Sequence, residues 1–167
     1  MIRIAGHEFA LELVKHEFLS ALILNDPGDV YRTVRQIRSI ARGSLYLEFF
    51  DLSEERKTHR GPIAEDVVHA IEWYKKIQRA TWNDVVVTCT AGISRSAAMA
   101  FVLECVDKTP QEASQVWNPR LHYPNKLIVR LGAEILSKPD MIKVCDEFWD
   151  ERLRRRASKG KPAKVDV

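Results

Sequence analysis

The sequence predicts an α/β protein: a central, mostly parallel sheet of four or five strands, flanked by helices, with a helical C-terminal half. Short apolar runs bounded by turn residues alternate with helical periods as far as the run at Val85, and only helical periods follow. That alternation is the pattern of parallel strands joined by helical crossovers. Composition agrees, since 46% apolar and 29% charged residues in 167 positions suit one globular domain with a full core.

Taken in order, Ile2 to Ile4 predicts an edge strand, and Ser20–Asn25, Leu45–Phe50 and Val85–Thr88 predict buried strands. Pro62 fits the first turn of a helix, where its missing N–H has no partner to lose. Glu65 and Asp66 suit the positive end of that helix, and Ile63, Val67, Ala70, Ile71, Tyr74 and Ile77 recur on one face. Ser96–Val106 predicts an alanine-rich helix. Thr109-Pro-Gln-Glu112 is a capping box for a third helix. Pro124 and Pro139 open two more, the last turning Met141, Ile142, Cys145, Phe148 and Trp149 inward.

Net charge is +3, but residues from Glu151 onward carry +5 and the rest of the chain −2. A mildly acidic body does not line a folded face for nucleic acid, and none is expected as a partner. The expected organisation is one folded domain over residues 1–156 and a basic, solvated tail over 157–167. Three cysteines without a CxxC clamp fit neither a disulfide framework nor a structural zinc site. The histidines (His7, His16, His59, His69, His122) have no metal-ligand spacing, so no metal and no cofactor are expected. Glu8 interrupts the N-terminal segment before a leader could form, and the longest uncharged run, Val85 to Ser94, is ten residues. The expectation is a soluble protein of the cytoplasm with no membrane partner.

One segment carries chemistry: Val85-Val-Val-Thr-Cys89-Thr-Ala-Gly-Ile-Ser-Arg95-Ser96. A buried strand ends, a short loop turns and a helix begins, and helix N-termini at the carboxyl ends of parallel strands bind anions through free N–H groups. Gly92 allows the loop a conformation that side chains resist. The amides of Thr90, Ala91, Gly92, Ile93, Ser94 and Arg95 can then curl into a nest for a tetrahedral oxyanion. Arg95 adds a fork of two parallel donors that lysine lacks. A helix N-terminus and a guanidinium favour the thiolate, which makes Cys89 a nucleophile aimed at phosphorus. Ser96 can donate a hydrogen bond to the sulfur when it leaves. A ring of amides plus Arg95 stabilises the three equatorial oxygens of phosphoryl transfer.

The pattern Cys-x2-Gly-x-Ser-Arg-Ser resembles the signature loop of the cysteine-dependent protein tyrosine phosphatases, in particular the small, bacterial-type dual-specificity branch. The likeness spans roughly residues 20 to 137. Ser96-Ala-Ala-Met-Ala-Phe-Val-Leu103 resembles the helix after the signature. Glu112-Ala113, and then Arg120-Leu-His-Tyr-Pro124-Asn125 with Leu131, resemble the later family pattern. The upstream Leu22-Ile-Leu-Asn-Asp26 and Phe49-Phe-Asp51 match in order. The resemblance implies a dual-specificity phosphatase-like fold and a metal-independent phosphomonoesterase working through a phosphocysteine. Expected partners are a phosphoprotein or small aryl phosphate as substrate, with phosphate, sulfate or a similar oxyanion in the loop.

Two departures bear on mechanism. The family usually places histidine before the nucleophile, where Thr88 stands here; a hydroxyl can bond a backbone group but brings no positive charge, which predicts a rate optimum at higher pH. The family also takes its general acid from a loop aspartate before the preceding helix. Asp51 fits that place, but lies 38 residues before Cys89, so Glu54 or Glu55 is the alternative. Asn125 is expected to bond backbone and brace the loop, and His59 and Arg60 to meet substrate if their loop folds over the site. Neutral Thr90, Ala91 and Ile93 favour a singly phosphorylated substrate. Two other readings keep the loop: a phosphate-binding module without turnover, and arsenate reductase chemistry, with Cys105 or Cys145 as the relay thiol, or sulfurtransferase chemistry.

Overall fold

The computed structural model describes residues 1–29, 31–54, 59–80 and 84–157. Strands β1 (Ile2–Gly6), β2 (Ser20–Asn25), β3 (Ser44–Glu48) and β4 (Val85–Cys89) form one parallel sheet in the order β1-β4-β2-β3. The two inner strands are buried at every position, which is why they read as continuous apolar runs rather than alternating ones. β3, on the edge, alternates only loosely.

Helices α1 (His7–His16) and α2 (Arg32–Ile40) cover one face, and α3 (Ala64–Arg79), α4 (Arg95–Glu104) and α6 (Lys126–Ile135) the other. The handedness of crossovers explains the division. The path steps in one direction from β1 through β2 to β3, then back to β4. Right-handed connections therefore place α1 and α2 on one side and α3 on the other. Two cores result. Ala10, Leu11, Val14, Val34 and Ile37 pack on Ala21, Ile23 and Val86, while Val67, Ile71, Phe101 and Ile128 pack on Leu22, Leu24, Val85 and Val87.

α4 is buried along its whole length. Its alanines let neighbours approach closely, and on α6 a Cβ at Gly132 would meet Val102 at 2.5 Å. Trp117 caps this core by donating its indole N–H to Ala97 O at 2.9 Å. Beyond α4 lie the short α5 (Pro110–Ala113), a 3-10 turn at Ser114–Val116, and α7 (Asp140–Ala157). The capping box forms, with Thr109 N donating to Glu112 Oε2 (3.0 Å) and Glu112 N to Thr109 Oγ1 (3.4 Å), but its helix lasts four residues. Among the described residues, no helix is long and apolar enough to cross a membrane.

Several boundaries differ from the sequence reading. β3 stops at Glu48, because Phe49 leaves the sheet to bury its ring completely and turn its carbonyl into the site. α3 and α6 begin two residues after Pro62 and Pro124. Ile63 and Ile142, expected to point inward, are 40% and 36% exposed: Ile63 precedes α3 as its cap, and Ile142 lies off the Met141–Cys145 stripe. The basic tail from 158 onward and the alternative acid Glu55 lie outside the described residues.

Candidate active site

All four strands end on one edge, and register decides what meets there. Gly6 pairs with Cys89, and Asn25 with Glu48, so His7, Asp26, Phe49 and Cys89 gather at the carboxyl ends of the strands. This is where open α/β sheets place ligands.

Cys89 closes β4 and is 3% exposed; its Sγ lies 3.2 Å from Ser96 Oγ in the first turn of α4. The loop between them turns at Gly92, whose φ is +72°. A side chain there would be strained, and its Cβ would lie 2.3 Å from Gly6 N and 2.4 Å from Ala5 C. The loop is thus seated against the β1–α1 corner. Ile93 O accepts from Tyr123 N (3.0 Å) and Ser94 O from Asn125 N (3.4 Å), tying its second half to the segment before α6.

Arg95 turns inward and is 4% exposed. One terminal nitrogen donates to Asp26 Oδ1 and to Phe49 O, both at 2.9 Å; the other lies 3.4 Å from Asp26 Oδ2 and 3.5 Å from Thr90 Oγ1. Its Nε is buried with no hydrogen-bond partner among the described residues. Asp26 therefore holds the fork that sequence reasoning had left free for an oxyanion. Asp26 went unassigned because its contact spans 69 positions, although Asn-Asp-Pro at the end of a buried strand was a usable signal.

Asp51 is exposed, with Oδ1 accepting from Ser94 Oγ (2.9 Å) and Asn125 Nδ2 (2.7 Å). Asn125 Nδ2 also reaches Leu52 O (2.9 Å), while its Oδ1 caps α6 by accepting from Ile128 N (3.1 Å). Cys89, Ser96 and Arg95 are thus brought together on the loop, and Asp51 reaches it through Ser94. A cleft of about 310 Å³ opens on the Asp51 side, walled by Tyr123 and Trp149, whose rings are 5.1 Å apart.

Thr88 bonds a side chain rather than the expected backbone group: its Oγ1 lies 3.1 Å from His7 Nδ1. Arg60 is engaged elsewhere, pairing with Asp66 at 2.8 Å and bonding Glu48 O, while His59 packs edge-on against Phe50 at 5.0 Å. Cys105 and Cys145 are free thiols buried in the core, each pushed up to about 12 by burial. Among the described residues, no group of three or more His, Cys, Asp or Glu side chains could hold a metal ion.

The fold is similar to that of solved tyrosine and dual-specificity phosphatases, the fold that the signature loop implied. The chain resembles the PTP-2 phosphatase of Cydia pomonella at 19% identity over 78% of this chain and 82% of that one, with a TM-score of 0.59. It resembles Tk-PTP in its active form at 14% identity (84% and 88% covered, TM-score 0.56). The human tyrosine phosphatase-like serine/threonine/tyrosine-interacting protein follows at 17% identity (81% and 91% covered, TM-score 0.55). No protein-family model and no curated protein sequence matches the chain.

Proposed function

We propose that the protein is a metal-independent phosphomonoester hydrolase acting on phosphoproteins or small aryl phosphates through a phosphocysteine. The carrying observation is the unpartnered Nε of Arg95, buried beside the loop while both terminal nitrogens of the guanidinium are engaged. A dry donor left unpaired costs about 1–3 kcal/mol. An oxyanion seated in the loop would supply its acceptor.

In the first step the Cys89 thiolate attacks phosphorus opposite the ester oxygen. The S–P bond forms as the P–O bond breaks, and Asp51 gives its proton to the departing oxygen. In the second step water attacks phosphorus and loses a proton to the Asp51 carboxylate. The S–P bond then breaks, inorganic phosphate leaves, and Ser96 Oγ, 3.2 Å from the sulfur, donates a hydrogen bond to the restored thiolate. The loop amides and Arg95 balance charge on the equatorial oxygens throughout.

Hydrolysis of p-nitrophenyl phosphate in EDTA, abolished by Cys89→Ser, is the expected result. Binding of tungstate or a phosphopeptide without turnover would make the protein a phosphate-binding module instead. Arsenate reduction dependent on Cys105 or Cys145 would replace the hydrolase reading altogether.

A further inference from the structure

We propose that His7 is a positioning residue for the nucleophile, acting through Thr88 to fix the strand end that presents Cys89 and the corner that seats the loop. The proposal rests on the phosphatase reading for its functional meaning.

The hydrogen-bond network leaves His7 one tautomer. Asn25 Nδ2 donates to Asp29 O (2.7 Å) and Asp26 O (3.3 Å) and lies 3.2 Å from Tyr46 Oη. Those carbonyls fix the amide, so Oδ1 faces His7 Nε2 at 3.3 Å. An amide oxygen only accepts, so Nε2 carries the hydrogen. Neutral imidazole then offers a bare Nδ1, and the Thr88 hydroxyl, 3.1 Å away, must donate to it.

His7 is 4% exposed, and burial is the main force keeping its imidazole below the usual histidine range. The facing groups divide: Arg95 of α4 acts with burial, whereas the Asn25 hydrogen bond, Asp26 beyond β2 and Glu8 of α1 oppose it. The Tyr31 ring, 6.1 Å away, lies on the α2 side. His7 is therefore neutral at neutral pH and returns no positive charge to the site.

Thr88 and Cys89 are successive strand residues and point to opposite faces, so anchoring one hydroxyl sets the pitch of the peptide that carries the other's sulfur. Gly6, next to His7, pairs with Cys89 and is the residue against which Gly92 packs. One side chain at this corner thus touches the strand before the loop and sits behind the loop itself. It limits how far Sγ can drift from the in-line position, where small misplacements are costly.

The test is a cycle on p-nitrophenyl phosphate turnover. His7→Phe and Thr88→Val should each lower kcat roughly tenfold with little change in KM, the equivalent of one hydrogen bond. The double variant should fall no further than either single one, because both remove the same contact. His7→Asn, whose Oδ1 can take the place of Nδ1, should restore most of the rate. Additive losses in the double variant, or wild-type kcat in His7→Phe, overturn the proposal. Nitrogen-15 spectra of the wild-type protein need neither folding of the variants nor turnover. A neutral Nε2–H imidazole for His7 at pH 7 supports the proposal, and Nδ1–H or a charged ring overturns it. Loss of turnover with Cys89→Ser fails to appear only if the phosphatase reading is wrong. In that event the rates of Cys89 alkylation in the same variants decide the role of His7, slower in His7→Phe than in His7→Asn if it holds and equal if it does not.

Discussion

Asn125 Nδ2 donates to Asp51 Oδ1 at 2.7 Å, joining two residues 74 positions apart, and Ser94 Oγ reaches the same oxygen at 2.9 Å. A carboxylate on an exposed loop is thereby held in one orientation by the α6 cap and by the candidate phosphate loop. If Asp51 supplies the proton, Asp51→Asn should lower turnover of phenyl phosphate by roughly 10²–10⁴. Turnover of 2,4-dinitrophenyl phosphate, whose leaving group needs no proton, should change far less. Equal losses on both would mean that Asp51 only anchors the loop, and would move the acid to Glu54 or Glu55.

The grip of Asp26 on Arg95 makes a second prediction. With both carboxylate oxygens facing the guanidinium, at 2.9 and 3.4 Å, Asp26 orients the fork as well as neutralising it. Asp26→Asn keeps one acceptor and removes the negative charge that neutralises the guanidinium, so tungstate inhibition should strengthen by about tenfold while the protein stays folded. Arg95→Lys keeps one nitrogen for Asp26 and Phe49 O but loses the second terminal nitrogen and the Nε–H, and with them the fork. It should lower kcat/KM by roughly 10²–10³, comparable to losing an oxyanion donor. Unchanged inhibition in Asp26→Asn would show that the charge of Asp26 does not reach the anion site.

Gly92→Ala tests the seating of the loop. The residue is at φ +72°, and a Cβ would lie 2.3 Å from Gly6 N, backbone that cannot swing away. Strain and displacement together should cost about 1–3 kcal/mol, read as a lower urea midpoint, with loss of tungstate binding. Wild-type stability would show that the loop can leave the β1–α1 corner freely.

How much of this was legible follows from where each signal lay. The strand, loop and helix from Val85 to Glu104 were readable because every determinant is local: a β-branched run, a glycine at the turn, a small-residue helix. α1 and α2 were not located. α1 follows β1 with no turn between them, and Phe9, 63% exposed, puts an apolar residue on its outer face, blurring the period. α2 buries only Val34 and Ile37, and neither helix has a side-chain cap. The partners of Arg95 and Thr88 escaped for another reason. Asp26 and His7 reach the site through sheet register, 69 and 81 positions away, and no local pattern reports register.

His122 sets a pH dependence of stability. Burial, with help from the charge of Arg152, lowers its imidazole to about 4, and its Nδ1 accepts from Asn118 N at 2.9 Å, which protonation would forbid. The unfolded chain takes up this proton near the ordinary value of about 6.5, the folded chain only near 4. Between those values the unfolded state binds more protons. Stability is therefore unaffected above about pH 6.5 and falls as pH drops towards 4, by at most about 1.4 kcal/mol per pH unit. His7, shifted in the same direction, adds to the fall. Urea midpoints at pH 7, 6 and 5 should decline in the wild-type protein and decline less in His122→Asn. Parallel curves would assign the loss to other groups.

The cysteines give the last prediction. Cys105 and Cys145 are buried among core side chains, and burial pushes both thiols up to about 12. At pH 7 that leaves a thiolate fraction on the order of 10⁻⁵, too small for appreciable alkylation or disulfide exchange. Native protein should therefore incorporate one equivalent of iodoacetamide at Cys89, more slowly when phosphate or tungstate occupies the loop. Cys89→Ser should incorporate none until urea exposes the remaining two thiols. Modification of Cys105 or Cys145 in the folded protein would mean that the helical layer around α4 opens on the timescale of labelling. Equal labelling of Cys89 with and without oxyanion would separate the sulfur from the anion site.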